Sequence, residues 1–275
     1  NGRGYDIVFS SNYFITKMSH DGLLSQIDLT KIKHFDEIIP ELTNLLHDPM
    51  NKYSVPYIWG ATGISFNSDL IESKNAKSWN DLWKKENIKN VLLIDDIRDV
   101  FGMALKKNGF SINTKNINEI EKAYADLLLL SQNIVLFNSD APQQPYLSGE
   151  VSIGMQWNGN AYQGNKDMPS LQFVMPEEGG ILWMDSFTIP EKSTKKDLAH
   201  KFISFMYEPE SQAIITETLG YASATTSGKN LLNDDLKNNT MIYPTAENLK
   251  KGEFIDDIGD TIHVYERFWN KFRNQ

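Results

Sequence analysis

The chain has 275 residues, and its 27 Lys and Arg against 36 Asp and Glu give a formal net charge of -9 at pH 7. This charge argues against a nucleic-acid-binding protein, because such proteins need Lys and Arg to displace the counterions of the phosphates. The 40% hydrophobic and 23% charged residues are typical of a globular protein. The absence of Cys excludes disulfides, Cys-ligated metals and thiol nucleophiles.

The first part of the sequence predicts a strand, a helix and a long extended segment. The β-prone run Tyr5–Phe9 is followed by small polar residues, which predicts a buried strand that ends in a loop. Leucines at helical spacing predict a helix over 42–46 that stops before Pro49. The segment 55–67 is extended and interrupted by Pro and Gly, so it is a candidate connection between two lobes.

The middle of the sequence alternates strand-like and helical patterns. Val91–Ile94 predicts a strand buried on both faces, and acidic residues follow it on the first turn of a predicted helix. Apolar residues at helical spacing predict a helix over 120–128, followed by strands over 134–137 and 151–157. Helical patterns dominate the last third of the chain. This alternation predicts an α/β fold with mostly parallel sheets, in two lobes joined by several extended crossings.

The common catalytic and metal-binding motifs do not occur in the sequence. The five His residues form no H-E-x-x-H motif and no pair at i+3 or i+4, and G-x-S-x-G is absent. Gly159–Lys166 has glycines at the spacing of a phosphate-binding loop, but it lacks the G-K-[ST] ending that such loops need. The sequence therefore predicts no cofactor and no metal site.

Acidic and aromatic residues come together at the ends of predicted strands. Asp96 and Asp99 follow one strand, Trp157 ends another, and Trp183 and Asp185 follow a Glu-Gly-Gly sequence. In open α/β sheets, ligands bind beyond the carboxyl ends of the strands. A carboxylate anchors an ammonium group by a charge-assisted hydrogen bond, and an indole covers methylene groups and attracts cations. Spaced carboxylates and indoles are the groups that a flexible aliphatic polycation requires.

Each of these residues also has a structural interpretation. Acidic residues on the first turn of a helix complement the helix dipole, which would explain Asp96 without a ligand. A tryptophan in a strand commonly belongs to the core, and Trp79 and Trp83 are interpreted as core residues on one face of a helix. The pattern alone therefore leaves open both a cation site and a purely structural role.

A set of short segments recurs, in the same order, in one protein family. The segments are Tyr5–Val8, Tyr53–Thr62, Asp95–Phe101, Phe137–Asp140, Gly149–Val151, Trp157–Gly159 and Glu178–Ser186. On these segments the chain resembles the spermidine/putrescine-binding periplasmic proteins of bacterial polyamine ABC importers. The resemblance extends from Tyr5 to the C-terminus, and Tyr57–Thr62 and Trp183–Ser186 are its most specific parts.

The resemblance implies a two-lobe periplasmic-binding-protein (Venus-flytrap) fold with mostly parallel sheets and hinge crossings. Residues 1–60 and 184–229 are expected to form lobe I, and residues 61–183 and 230–275 to form lobe II. The implied protein is not an enzyme: it binds spermidine, putrescine or both in its cleft and delivers the polyamine to the permease of an ABC importer in the inner membrane. It is implied to be a periplasmic monomer that binds no nucleic acid and needs no cofactor.

The family's ligand-binding residues carry over to eight positions of this sequence. The resemblance implies that Asp96 and Asp99 hold one end of the ligand, and that Asp185 holds the secondary amine or the other primary amine. The other positions supply the aromatic walls and the contacts from the first lobe; they are Ser11, Tyr13, Trp157, Trp183 and Tyr221.

The sequence departs from the family pattern in two places. Ile255 stands where the family has a glutamine that can reach the amine, so one polar contact is expected to be lost unless Asp256 or a water molecule replaces it. Family members also begin with strand–helix units and a signal sequence that precede the part matched here. We therefore expect Asn1 to be an internal start and the chain to be a fragment of a longer precursor.

Three other functions stay open at the level of the sequence. A sugar-binding or other small-ligand-binding protein of the same fold would also use aromatic walls and carboxylates. A glycoside hydrolase would use two carboxylates, one as acid and one as nucleophile or base. A sensor that presents a bound polyamine to a receptor would have the identical fold. The sequence also does not distinguish spermidine from putrescine, which differ by one aminopropyl group.

Overall fold

The computed structural model describes residues 4–274 of the chain. The strands are β1 (Val8–Ser11), β2 (Ser54–Asn67), β3 (Val91–Leu93), β4 (Ile134–Phe137), β5 (Ile153–Trp157), β6 (Leu171–Val174), β7 (Ile181–Thr188), β8 (Ala222–Ser223) and β9 (Glu253–Phe254). The α-helices are α1 (Asn12–His20), α2 (Ile97–Lys107), α3 (Ile117–Leu130), α4 (Gln144–Leu147), α5 (Asn158–Asp167), α6 (Lys196–Met206), α7 (Pro209–Leu219), α8 (Thr226–Leu231), α9 (Asp234–Lys237), α10 (Ala246–Lys251) and α11 (Ile262–Arg273). Short 3-10 turns lie between them. None of the helices within the described residues combines the length and the apolar character that crossing a lipid bilayer requires.

The chain divides into two compact units, and each unit consists of two separate stretches of sequence. Unit 1 contains the described residues up to Gly60 together with Trp183–Tyr243. Unit 2 contains Ala61–Leu182 together with the described residues from Pro244 onward. Two of the boundaries therefore fall inside the strands β2 and β7, which each contribute residues to both units.

Unit 1 is built on an antiparallel pair of strands. β1 pairs with β7 in a register that places Phe9 opposite Phe187 and Ser11 opposite Asp185. The first part of β2 pairs antiparallel with β8. Tyr207 follows α6 and donates a hydrogen bond from its hydroxyl to the carbonyl of Pro56 in β2, so this helix is tied to the strand by a fully buried side chain.

Unit 2 contains a mixed sheet with helices packed against it. The second part of β2 pairs antiparallel with β5 and β6, whereas β3 pairs parallel with both β4 and β5. The helix α11 contacts α2 and α3. Its Tyr265 is fully buried, lies with its ring 5.1 Å from the ring of Phe101 and donates a 2.9 Å hydrogen bond to the carbonyl of Thr114. The last helix of the chain is thus part of the core of unit 2.

The structure corrects the expected strand directions. The α/β architecture is as predicted, but the sheet pairings are mixed rather than mostly parallel, because β2 takes its partners β5, β6 and β8 in antiparallel orientation. The continuous apolar run Val91–Ile94 is fully buried, and its strand β3 pairs parallel with both neighbours, as such a run indicates.

Two local features of the structure differ from the expectations, and a third expectation concerns a residue that the structure does not describe. Residues 230–243, expected in lobe II, belong to unit 1, where Ser223 donates a backbone hydrogen bond to the hydroxyl of the buried Tyr243. The helix predicted over 42–46 does not form, because Asn44 adopts a left-handed conformation with φ of 54°. Asn1, expected to be an internal start, lies outside the described residues.

Candidate functional site

The carboxylate of Asp185 is held by a serine on the neighbouring strand of unit 1. The register of β1 and β7 places the two residues directly opposite each other, so their side chains share one face of the sheet. The hydroxyl of Ser11 donates a 2.7 Å hydrogen bond to Oδ1 of Asp185. Both predicted site residues are half-buried, and the hydrogen bond fixes the orientation of the carboxylate.

An aromatic cluster lies on the face of the β1–β7 pair that carries this carboxylate. The rings of Phe9, Tyr57 and Phe187 contact one another at centroid distances of 4.8 to 5.1 Å. Burial raises the pKa of Asp185, and the hydrogen bond from Ser11 opposes this rise. Burial also raises the pKa of Tyr57, and the negative charge of Asp185 adds to that effect. Asp185 is therefore a partly desolvated carboxylate in an aromatic environment.

Trp183 and Tyr221 form a second aromatic pair in unit 1. Their ring centroids are 5.0 Å apart and their planes meet at 79°, which is an edge-to-face contact. Trp183 is 9% exposed, and its indole N–H has no hydrogen-bond partner among the described residues. Tyr13 lies at the start of α1, half-buried, with its ring centroid 4.3 Å from that of Phe14. The structure thus pairs two of the predicted aromatic residues and places the ring of Tyr13 against Phe14.

Asp99 lies in unit 2, on the first turn of α2, and both of its carboxylate oxygens accept hydrogen bonds. Oδ1 accepts a 2.7 Å hydrogen bond from the hydroxyl of Thr62, and Oδ2 accepts a 3.1 Å hydrogen bond from the indole N–H of Trp157. Thr62 and Trp157 are register partners in β2 and β5, so one strand pair presents both donors on the same face. Only 3% of Asp99 is exposed.

Burial and a second acid make Asp99 hard to ionise. Burial is the main cause and the negative charge of Asp96 the next, and together they raise the pKa of Asp99 to about 8. The hydrogen bonds from Thr62 and Trp157 and the charge of Arg98 oppose this rise without cancelling it. A cation placed beside this carboxyl group would therefore be strongly stabilised by its ionised form.

Asp96 caps the N-terminus of α2, in line with the structural interpretation of this acidic residue. Its Oδ1 accepts hydrogen bonds from the backbone N–H groups of Arg98 at 2.8 Å and Asp99 at 3.0 Å, so Asp96 is the N-cap of α2. This cap explains why the helix begins immediately after β3 and why Asp99 lies on its first turn. The cap also holds Asp96 close to Asp99.

The C-terminal segment of unit 2 is attached to the same helix. The buried guanidinium of Arg98 donates a 2.9 Å hydrogen bond to the carbonyl of Asp256 and a 2.7 Å hydrogen bond to Oδ1 of Asn113. Ile255, which stands where the family has glutamine, is 3% exposed, and its backbone N–H donates to the carbonyl of Leu182. An apolar side chain therefore fills this buried position.

Sequence reasoning missed two neighbours of the predicted carboxylates. Thr62 donates to Asp99, and Tyr57 lies close enough to Asp185 for the negative charge of Asp185 to raise the pKa of Tyr57. Both belong to the segment on which the resemblance rests, but only the strand register reveals which side chains they face. Within residues 4–274, no group of three or more His, Asp or Glu side chains is arranged to hold a metal ion.

Comparison with known proteins identifies the family. The family model described as bacterial extracellular solute-binding protein matches residues 1–244. The chain belongs to this family. This solute-binding protein is 44% identical over 269 residues to the spermidine/putrescine-binding periplasmic protein of Salmonella typhimurium, which covers 98% of this chain and 77% of the relative. The protein of the same name from Escherichia coli is 42% identical with the same coverage.

A solved structure of a related protein has the same fold as this chain. The spermidine/putrescine ABC transporter substrate-binding protein PotD from Streptococcus pneumoniae superimposes on this solute-binding protein with a TM-score of 0.88 at 32% sequence identity. The match covers 99% of this chain and 85% of that structure. The comparisons confirm the family resemblance and the α/β binding-protein fold that the sequence predicted.

Proposed function

We propose that this solute-binding protein binds the polyamines spermidine and putrescine outside the cytoplasm and delivers them to the permease of an ABC importer. The proposal is supported by two relatives, both spermidine/putrescine-binding periplasmic proteins, which are 42–44% identical over nearly the whole chain. The observation that carries it is the buried carboxyl group of Asp99, whose two oxygens accept hydrogen bonds from the neutral donors Thr62 and Trp157. Neutral donors orient a carboxylate and leave its negative charge available to a cation.

Each unit offers one acidic anchor with aromatic neighbours. In unit 2 we assign an ammonium group to Asp99 with Asp96, and the indole of Trp157 to the adjacent methylene groups. In unit 1 we assign a second amine to Asp185, oriented by Ser11. The remaining aromatic contacts with the aliphatic chain are assigned to Tyr13, Trp183 and Tyr221. An ammonium group gains a charge-assisted hydrogen bond at a carboxylate, and cation–π attraction at an indole adds roughly 0.5–2 kcal/mol.

The proposed role is binding without catalysis, by a monomer. A glycoside hydrolase needs one carboxyl group that protonates the leaving oxygen and a second that attacks or activates water. The relatives that are 42–44% identical to this chain are binding proteins. Asp96, the acid beside Asp99, is engaged as a helix cap, which also favours binding over catalysis by a pair of free carboxyl groups.

Titration calorimetry on the purified chain tests the proposed ligand class. We expect spermidine and putrescine to bind with a Kd on the order of micromolar or below. The matched control is 1,4-butanediol, which has the four-carbon chain of putrescine but no charge, and it should not bind. A neutral oligosaccharide should not displace spermidine. Binding of the sugar, or equal binding of the diol and putrescine, would contradict the proposal.

A further inference from the structure

Three fully buried side chains in unit 2 carry polar atoms that lack a hydrogen-bond partner among the described residues. They are the hydroxyls of Ser65 and Tyr146 and both the amide oxygen and the amide nitrogen of Gln156. Each of the three side chains is at most 1% exposed. A buried polar group that is left unpaired costs about 1–3 kcal/mol, so four such atoms in one region require an explanation.

The strand register places these groups on one face of the sheet. Ser65 lies opposite Gly154, and Gln156 lies opposite Gly63, in the antiparallel pair of β2 and β5. Opposite residues share a face and successive residues alternate, so Ser65 and Gln156 point to the same side. Trp157, the next residue after Gln156, points to the other side and donates to Asp99. The unpaired groups therefore lie behind the strand that carries the site's tryptophan.

Two glycines bring the third polar group and an aromatic cover to the same place. A Cβ atom on Gly154 would stand only 2.8 Å from the hydroxyl of Tyr146, so this hydroxyl reaches the sheet directly above the glycine. A Cβ atom on Gly63 would stand 2.6 Å from Cζ of Phe173, so the phenyl ring lies over the other glycine. The hydroxyl of Tyr146 and the side chains of Ser65 and Gln156 thus lie on one face of the β2–β5 pair, and the ring of Phe173 lies on the same face.

The mixture of donors and acceptors identifies what these groups would bind. The amide nitrogen of Gln156 only donates, its amide oxygen only accepts, and each hydroxyl of Ser65 and Tyr146 does both. An ammonium group or metal ion would face the amide donor, and an anion would face the amide oxygen, so neither suits the whole set. Water donates two hydrogen bonds and accepts two, and buried water molecules in proteins typically make about three.

We infer that Ser65, Tyr146 and Gln156 form an internal water-binding site behind β5. One or two ordered water molecules join the amide of Gln156 to the two hydroxyls and satisfy the four atoms. This site is separate from the proposed polyamine site, since its side chains lie on the opposite face of the strand from Trp157. The inference does not depend on which solute the protein binds.

A crystal structure at a resolution that resolves ordered water, together with ¹⁷O magnetic relaxation dispersion, tests the inference on the full chain. We expect a water molecule at hydrogen-bond distance, about 2.7–3.2 Å, from at least two of the four atoms. Gln156→Leu should lose at least one long-lived water molecule, and Tyr146→Phe should displace or loosen it. The control Met155→Leu alters the same strand on its other, fully buried face and should lose none.

Two results would overturn the inference. A crystal structure in which the amide of Gln156 bonds directly to both hydroxyls, with no water among them, would do so. An equal number of long-lived water molecules in the wild type and in folded Gln156→Leu would do so as well. Should Gln156→Leu fail to fold, the wild-type crystal structure and Tyr146→Phe decide the question. Tyr146→Phe should bind spermidine within about threefold of the wild-type affinity. A loss of the water molecule in this variant can therefore be distinguished from a failure of the proposed function.

Discussion

The two units contain acidic anchors that differ in how their charge is supported. In unit 1, Asp185 accepts one hydrogen bond from Ser11 and is half-buried, on the strand face that also carries Phe9 and Phe187. In unit 2, Asp99 accepts two hydrogen bonds, but it is more completely buried and lies beside a second acid, Asp96. Hydrogen bonds alone therefore do not determine whether a carboxyl group is ionised. Asp99 accepts more hydrogen bonds than Asp185, yet burial and Asp96 raise its pKa to about 8.

The largest effect is expected from removing the anchor of unit 1. Asp185→Ala should weaken spermidine binding by about 2–5 kcal/mol, because a desolvated ammonium group loses its charged partner. This corresponds to roughly 30- to 5,000-fold in Kd. Calorimetry measures the change, and Asp95→Ala is the matched control, because Asp95 is an exposed aspartate paired with Arg273. A loss of less than tenfold in Asp185→Ala would mean that Asp185 is not a central anchor.

The second expected effect is a dependence of affinity on pH that arises in unit 2. Because the pKa of Asp99 is raised to about 8, the ligand-free group is protonated at neutral pH, and an ammonium group that binds beside it must release the proton. Spermidine affinity should therefore rise between pH 5.5 and 8, by up to about tenfold per unit. Binding enthalpies in phosphate and Tris buffer report the released proton. Asp99→Asn should remove both effects, and a flat profile in the wild type would contradict the assignment.

The same group makes a prediction for the stability of the ligand-free protein. The folded state holds the proton of Asp99 more tightly than the unfolded state does, so its stabilisation is complete below the ordinary aspartate pKa and is lost as the pH rises towards 8. The free energy of unfolding should fall by up to about 1.4 kcal/mol per pH unit in this range. Urea unfolding at several pH values measures this slope, and the slope should be absent in Asp99→Asn.

A smaller effect should follow from removing one donor to Asp99. Thr62→Val keeps the shape of the side chain and deletes the hydroxyl that bonds to Oδ1, which should raise the pKa of Asp99 further. Spermidine affinity at pH 7 should fall by about tenfold, as expected for the loss of a hydrogen bond to a charged group. Thr188→Val is the matched control, because the buried Thr188 donates to the carbonyl of Val8 in unit 1. Equal losses in the two variants would argue against a specific role of Thr62.

The smallest expected effect concerns the choice between two polyamines. Asp99→Glu lengthens the acidic side chain by one methylene at the anchor assigned to an ammonium group, so it should change the spermidine/putrescine affinity ratio more than Asp96→Glu does, because Asp96 is held as a helix cap. A few-fold difference between the ratios is sufficient, and competition calorimetry can resolve it. Equal ratios in both variants would show that Asp99 does not discriminate between the ligands.

The sequence predicted the elements of the site better than it predicted their pairing. The strand over 91–94, the helix start at Asp96 and the acidic first turn follow from composition, spacing and capping rules, and the structure contains all three. The contact of Ser11 with Asp185 joins residues 174 positions apart, and it depends on a strand register that no local pattern encodes. The antiparallel partners of β2 were not predicted, because they too depend on pairings between distant parts of the chain.

The buried polar groups show a second limit of sequence reasoning. Only a strand was predicted over 151–157, and nothing in that pattern indicated that the polar Gln156 is buried. In the structure it is fully buried, because Tyr146 and Phe173 approach the two glycines of the sheet. Such approaches depend on residues from distant parts of the chain, which hydropathy in a local window cannot include.

The division of each unit into two stretches of sequence has a consequence for the order of folding during synthesis. The first stretch of unit 1 contains β1, but β7, which pairs with β1, is synthesised only after the whole first stretch of unit 2. At roughly 5–20 residues per second, this delay lasts on the order of ten seconds. Folding of unit 2 is delayed still longer, because its core includes Tyr265 of α11. A nascent chain therefore cannot complete the core of unit 2, and stays open to chaperones, until the residues up to Tyr265 have left the ribosome.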